Sequence, residues 1–190
     1  EGHLLRAAMC LAKLAAIDPG GKLANRPLNS LRDVLLSWSP HTNAAHKQRI
    51  GVLSHVVRAV PSVAWPLLVK LLPQAHDSVS PTQKPKFAEA SPGGQETLTY
   101  GIVWATQAAV VELAVERAQL VPDRWQTLIG VLGQLRPDSF EHVIRGLDDC
   151  LNKQGADDRF ATWDELRKEV NRHRAFSGVD WAIKDERLGR

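Results

Sequence analysis

Apolar residues recur every three or four positions along almost the whole chain, and this spacing constrains the fold more than any other feature. The main stripes run over residues 4–15, 28–38, 50–60, 64–72, 125–135, 140–151 and 163–170. Side chains at this interval return to one side of an α-helix, whereas a half-buried strand alternates at every second position. Because no segment alternates for long enough to form a strand, the sequence predicts an all-α fold.

Proline and glycine divide these stripes into short helices. The first helix is predicted to end at residues 18–21 (Asp-Pro-Gly-Gly), because proline cannot donate the next helical hydrogen bond and glycine tolerates a positive φ. Pro66 is expected in the first turn of its helix, where the missing N–H is no loss. The predicted helix-capping residues are Thr42 or Asn43, Ser62, Asp138 with Glu141, and Thr162 with Glu165.

The helical spacing disappears between residues 74 and 94, where proline, glycine, serine and lysine replace it. A loop of this length is uncommon in a compact domain and is usually functional or disordered. The following segment, Gln95 to Gln119, is apolar on most sides, which predicts a buried helix at the middle of the molecule.

We therefore expect stacked antiparallel helical hairpins of solenoid type, similar to HEAT or TPR arrays. Helix pairs would occupy about 3–73 and further helices about 95–190, within one domain spanning 1–190. The apolar helical pattern begins almost directly after Glu1, which suggests an excised portion of a longer array in a larger polypeptide. Val60-Pro61-Ser62 and Val121-Pro122-Asp123 both precede a tryptophan, which fits either a degenerate repeat or two ordinary helix starts.

Basic residues are concentrated in the N-terminal half. Between Lys22 and Lys70 there are seven basic residues and one acid, a net charge of +6. If helix faces expose Lys47, Arg49 and Arg58, they could contact nucleic-acid phosphates, which clustered cations neutralise without any sequence motif. The alternative is an ordinary solvated basic face.

Tryptophans and the long loop supply candidate protein contacts. Trp38, Trp65, Trp104, Trp125 and Trp163 mostly fall on apolar stripes, so packing in the core is the expected role. Trp181 lies outside a clear stripe and is a candidate partner contact. Within the loop, Lys84, Lys86 and Phe87 are the other candidates, and a tolerated surface insertion is the competing interpretation.

No arrangement typical of catalysis or cofactor binding is found in the sequence. Histidines and cysteines lack the short spacing of a structural zinc site, and no glycine-rich phosphate loop occurs. Cys10 and Cys150 lie beside apolar residues and are predicted to be buried, reduced thiols, with Asp148 and Asp149 raising the pKa of Cys150. The most apolar stretch, 102–115, is shorter than a membrane span. We expect no metal, no cofactor and no membrane contact.

Several strings resemble a helical-repeat region of large bacterial multidomain proteins. They are residues 14–21, 25–31, 65–73, 81–86 and 163–181. Several proteins of this kind resemble antiphage defence systems in which an N-terminal effector and an NTPase or sirtuin-like module precede a C-terminal helical array. The resemblance implies a sensor or scaffold role in the cytoplasm, with a protein partner or other domains of the same chain. It transfers no functional residue.

Three functions follow as hypotheses. The first is a non-enzymatic protein-interaction scaffold or sensor segment, the second is a nucleic-acid-binding helical module that uses residues 22–70, and the third is a structural spacer between active domains.

Overall fold

The computed structural model describes residues 2–79, 96–179 and 182–189, and the regular secondary structure of these residues is helical, with no β-strand. The helices are α1 (Gly2–Ala16), α2 (Pro27–Leu35), α3 (His46–Ala59), α4 (Pro61–Leu71), α5 (Tyr100–Ala118), α6 (Pro122–Gly130), α7 (Pro137–Leu151), α8 (Ala156–Ala175) and α9 (Asp185–Leu188), with a 3₁₀ turn at Leu132–Gln134. The prediction of an all-α fold is confirmed for this part of the chain.

The chain divides into two compact units, and the division falls within α5 between Leu113 and Ala114. The first unit contains Glu1–Leu72 and His76–Leu113, and the second contains Pro73–Ala75 and Ala114–Arg190.

The core of the first unit lies among α1, α2, α3 and α4, which contact one another. Two fully buried alanines of α1, Ala8 and Ala12, let its backbone approach the others closely. Leu31, Val56 and Leu67 are fully buried from the facing helices. Only Val60 separates α3 from α4, so these two helices form a tightly connected hairpin.

The core of the second unit is built around Trp125 of α6, and α6 packs against α8. The Trp125 indole donates a hydrogen bond from Nε1 to the Gln119 carbonyl oxygen at 2.7 Å. Its ring lies against Gly146 of α7, where a β-carbon would come within 2.9 Å of Trp125 Cη2 and 2.8 Å of Val115 Cγ1. Glycine is therefore required at this crossing for close packing.

The predicted N-caps are wrong in each of the four helices, and in two of these helices a proline takes the first helical position. Pro61 and Pro137 occupy the first helical position, which places Ser62 and Asp138 inside their helices. Proline suits that position because its φ is already helical and its missing N–H has no intrahelical acceptor there. The third helix begins at His46 rather than after Thr42 or Asn43, and the Gln48 side chain accepts a hydrogen bond from the Ala45 backbone N–H at 3.2 Å.

Two further expectations about α4 and α8 are corrected. Pro66 is the sixth residue of α4 and therefore lies in the helix interior rather than in the first turn. Thr162 lies within α8, which begins six residues earlier at Ala156, so it does not cap the helix with Glu165.

The helix predicted over 95–119 begins later, at Tyr100, and it is less buried than expected. Tyr100 and Trp104 stack with their ring centroids 5.7 Å apart, and both are exposed. Burial begins further along the helix, where Val110, Val111 and Ala114 have almost no exposed surface. Most of the predicted 74–94 loop lies outside the described residues.

Candidate interaction surfaces

The side of α8 that faces the protein interior is polar. Thr162, Glu169 and His173 are its buried residues. The Thr162 hydroxyl lies 3.2 Å from Gln154 Oε1 and 3.1 Å from the Asp158 carbonyl oxygen, and His173 Nε2 lies 3.0 Å from Glu169 Oε1. Because these polar groups have hydrogen-bond partners, their burial carries little penalty.

The second ring nitrogen of His173 ties the C-terminal segment to α8. The backbone N–H of Ile183 donates to His173 Nδ1 at 3.0 Å. Nδ1 must therefore be unprotonated, which leaves Nε2 as the nitrogen that donates to Glu169. Arg172 also contacts the same Glu169 oxygen, so this carboxylate is shared by two donors.

An aromatic surface lies on another side of α8, and we name it the α8 aromatic face: Phe160, Trp163 and Arg167. Phe160 is 66% exposed and Trp163 is 50% exposed, so the prediction that Trp163 packs in the core is wrong. Their ring centroids are 6.3 Å apart, and the Arg167 guanidinium carbon lies 5.8 Å from the Trp163 centroid. The spacing of three and four residues places all three side chains in one row along the helix.

Charged residues border this face. Asp164 accepts hydrogen bonds from Arg167 Nη2 at 2.7 Å and pairs with Lys168 Nζ at 2.9 Å. These hydrogen bonds, that from Arg167 above all, lower the pKa of Asp164. The same contact raises the pKa of Lys168, with Glu165 contributing in the same direction.

Comparisons with known proteins do not assign a family or a function to the chain. No protein-family model, curated protein or solved structure matches the chain.

The predicted nucleic-acid contacts do not form one exposed surface. Lys47 and Arg58 of α3 are exposed, but Arg49 is only 2% exposed, so its predicted exposure is wrong. Arg49 Nη1 donates a hydrogen bond to the Ala44 carbonyl oxygen at the start of α3. Burial lowers the pKa of the Arg49 guanidinium, while the charge of Glu96 opposes that shift.

Acids from outside the basic segment neutralise part of its charge. Arg26 pairs with Asp18, and Arg32 pairs with Asp77 while donating to the Lys70 carbonyl oxygen at 3.2 Å. A charge count over residues 22–70 includes neither of these aspartates, so +6 overstates the charge that this segment presents to solvent.

Glu96 makes a third such contact at the N-terminus of α3. Its carboxylate accepts a hydrogen bond from the His46 backbone N–H at 2.7 Å, and its other oxygen lies 2.7 Å from His46 Nδ1. The side-chain contact with His46 is the largest cause that lowers the pKa of Glu96, followed by the backbone hydrogen bond. Glu96 thus satisfies a free N–H at the helix start from 50 positions along the chain.

The remaining predicted contacts, Lys84, Lys86, Phe87 and Trp181, lie outside the described residues.

The two cysteines differ in environment. Cys10 is exposed, so its predicted burial is wrong, whereas Cys150 is buried as predicted. Burial is the main cause that raises the pKa of the Cys150 thiol, and the acid that adds to the effect is Asp158 rather than Asp148 or Asp149.

The described residues contain neither a cluster of metal ligands nor a membrane-spanning helix. Within residues 2–79, 96–179 and 182–189, no three His, Cys, Asp or Glu side chains are grouped as metal ligands would be. No helix in the same part of the chain has the length and apolarity needed to cross a membrane.

Sequence reasoning missed the α8 aromatic face because it assigned tryptophan to the core by default. One signal could have revealed it. Thr162, Glu169 and His173 follow one another at intervals of seven and four, so a polar stripe competes with the apolar stripe that begins at Trp163.

Proposed function

We propose that this chain is a non-enzymatic protein-interaction module that binds its partner through the α8 aromatic face. The exposure of Phe160 and Trp163 as a contacting pair is the observation that supports the proposal. Single exposed apolar residues are common on protein surfaces, but here two aromatic rings and an arginine form one continuous row.

The residue types in this row suit a protein interface. Tryptophan, tyrosine and arginine contribute most of the binding free energy at protein interfaces, because they bury a large apolar area and still offer polar contacts. Arg167 adds a cation beside the indole, and such a pair gains strength when a partner removes it from water.

The module would be part of a helical array. The α3–α4 hairpin, connected through Val60 alone, is the kind of unit that stacks in solenoids. Together with the resemblance of residues 14–21 and 65–73 to helical-repeat regions of large bacterial multidomain proteins, it supports a scaffold or sensor role in the cytoplasm.

Photo-crosslinking tests the proposal directly. Replacing Trp163 with benzoylphenylalanine in the 190-residue chain should give a crosslinked species when the protein is irradiated in a lysate of its source organism. The same replacement at Tyr100, an exposed aromatic of α5, is the matched control and should not give that species. If no product depends on position 163, the α8 aromatic face is not a binding surface.

Nucleic-acid binding is a second candidate because Lys47 and Arg58 are both exposed on α3. They are eleven residues apart, which is close to three helical turns, so they lie on one side of the helix. Lys47→Glu with Arg58→Glu should abolish binding to duplex and single-stranded probes at low salt, and wild-type affinity should fall steeply as salt rises. If the wild-type chain binds neither probe at low salt, this candidate is excluded.

A further inference from the structure

The charges along α8 are divided between its two halves. Residues 156–165 contain four acids and one base, a net charge of −3, whereas residues 166–175 contain four bases and one acid, a net charge of +3 with histidine neutral. The helix dipole favours acids in the first turn and bases in the last turn only. Here the division continues into the middle of the helix, where Asp164 and Glu165 precede Arg167 and Lys168.

When two copies of α8 lie side by side in opposite directions, the acidic half of each helix faces the basic half of the other. A two-fold axis through the midpoint of α8 places Asp157 opposite Arg174 of a second copy and Asp164 opposite Arg167 of that copy. Trp163 then lies beside the second copy's Arg167, where its ring can contact a cation. A parallel arrangement would instead place each charge against its equivalent.

We propose that the partner of the α8 aromatic face is a second copy of this chain, bound with its α8 antiparallel. This inference rests on the proposed use of that face and adds the identity of the partner. The exposed aromatic pair supplies the apolar contact, and the −3 and +3 halves determine the direction of pairing. A nucleic acid is disfavoured as the occupant because the acidic half of α8 would repel its phosphates.

The interface would be small. A helix of 20 residues is about 30 Å long, so one helix pair lies at the lower end of the areas buried by specific complexes. We therefore expect a dissociation constant that is roughly micromolar.

Sedimentation velocity of the 190-residue chain at concentrations from about 1 to about 200 µM tests the proposal through mass action. We expect a shift from monomer to dimer over this range, and Trp163→Ala should weaken the dimer roughly 30-fold. Arg6→Glu, which changes an exposed charge of α1 in the other unit, is the control and should leave the dissociation constant unchanged.

A charge exchange tests the antiparallel direction. Asp157→Lys and Arg174→Glu should each weaken the dimer about tenfold, because each places like charges opposite one another. The double variant should recover most of the affinity, since the exchanged charges again face opposite charges. Both residues are exposed, and far-UV circular dichroism would verify that each variant is folded.

Several outcomes would overturn the inference. They are a monomer at every concentration, a dimer unaffected by Trp163→Ala, or a double variant no tighter than the single variants. A monomeric chain that still crosslinks to another protein through position 163 would refute self-pairing and leave the proposed function standing. A crosslinked product of twice the chain mass supports both.

Discussion

Helices α6 and α8 pack against each other, and each carries a tryptophan that its sequence assigns to the core, yet only one is buried. Trp125 of α6 is 2% exposed, whereas Trp163 of α8 is 50% exposed. The two tryptophans differ in burial because their helices pack against different neighbouring groups. Gly146 leaves room for the Trp125 ring, and the Gln119 carbonyl accepts its indole N–H.

The interior side of α8 is instead occupied by polar residues with partners close in sequence. Glu169 and His173 are four residues apart, and the Thr162 hydroxyl reaches Gln154 and Asp158. A helix can therefore bury a polar stripe when it satisfies that stripe locally, and its aromatic residues are then left in solvent. Four measurements test whether burial and hydrogen bonding explain the difference between the two tryptophans.

Trp125→Ala should have the largest effect. We expect the free energy of unfolding to fall by about 3–5 kcal/mol, because a cavity replaces a buried indole. Trp163→Ala should cost less than about 1 kcal/mol, since a half-exposed side chain loses much less contact. Urea unfolding of both variants, followed by circular dichroism, gives the comparison, and similar losses for the two would contradict the difference in burial.

Gly146→Ala should have the next largest effect, about 1–3 kcal/mol, because the added β-carbon meets Val115 and Trp125 closer than van der Waals contact allows. Gly51→Ala is the matched control. Gly51 lies inside α3 with no atom within 4 Å of the added carbon, so alanine should stabilise the helix by roughly 0.5–1 kcal/mol. A harmless Gly146→Ala would mean that the packing of Trp125 does not depend on this glycine.

Thr162→Val tests whether hydrogen bonding or apolar burial stabilises the interior side of α8. The two side chains have the same shape, but valine cannot donate to Gln154 or Asp158. We expect a loss of about 1 kcal/mol despite the greater hydrophobicity of valine. A gain in stability would show that the hydrogen bonds of Thr162 do not stabilise the fold more than apolar burial would.

The smallest effect should come from the pH dependence of Asp164. Its pKa is lowered in the folded chain by Arg167 and Lys168, so its stabilising contribution is complete above the unfolded-state pKa and is lost as the pH falls through the folded-state value. Asp164→Asn should therefore reduce the difference in stability between neutral and acidic pH. The measurement is urea unfolding at pH 7 and below pH 4, and an unchanged pH dependence would contradict the role of these contacts.

The sequence predicted helix ends well where proline or glycine directly affects the backbone conformation. The end of α1 is an example, since Gly20 and Gly21 both adopt positive φ beyond the helix as expected of glycine. Helix starts were predicted less well, because several of these helices begin at a proline and have no side-chain cap. Pro27, Pro61, Pro122 and Pro137 all stand at the first position of their helices or next to it.

Which charged residues of the candidate surfaces remain exposed and unneutralised depends on contacts with residues distant in sequence. The basic segment contains seven cations, but Asp18, Asp77 and Glu96 reach it from outside, and Arg49 is buried against its own helix start. Neither fact can be read from a charge count along the chain.

The helical character of the described residues and the end of α1 arise from neighbours within a few residues, so both can be predicted from the amino-acid sequence. Which tryptophan is buried and which cations face solvent depends on tertiary contacts instead. Burial and ion pairing are set by the groups that folding brings opposite a side chain, and these come from another helix or from as far as 50 residues away.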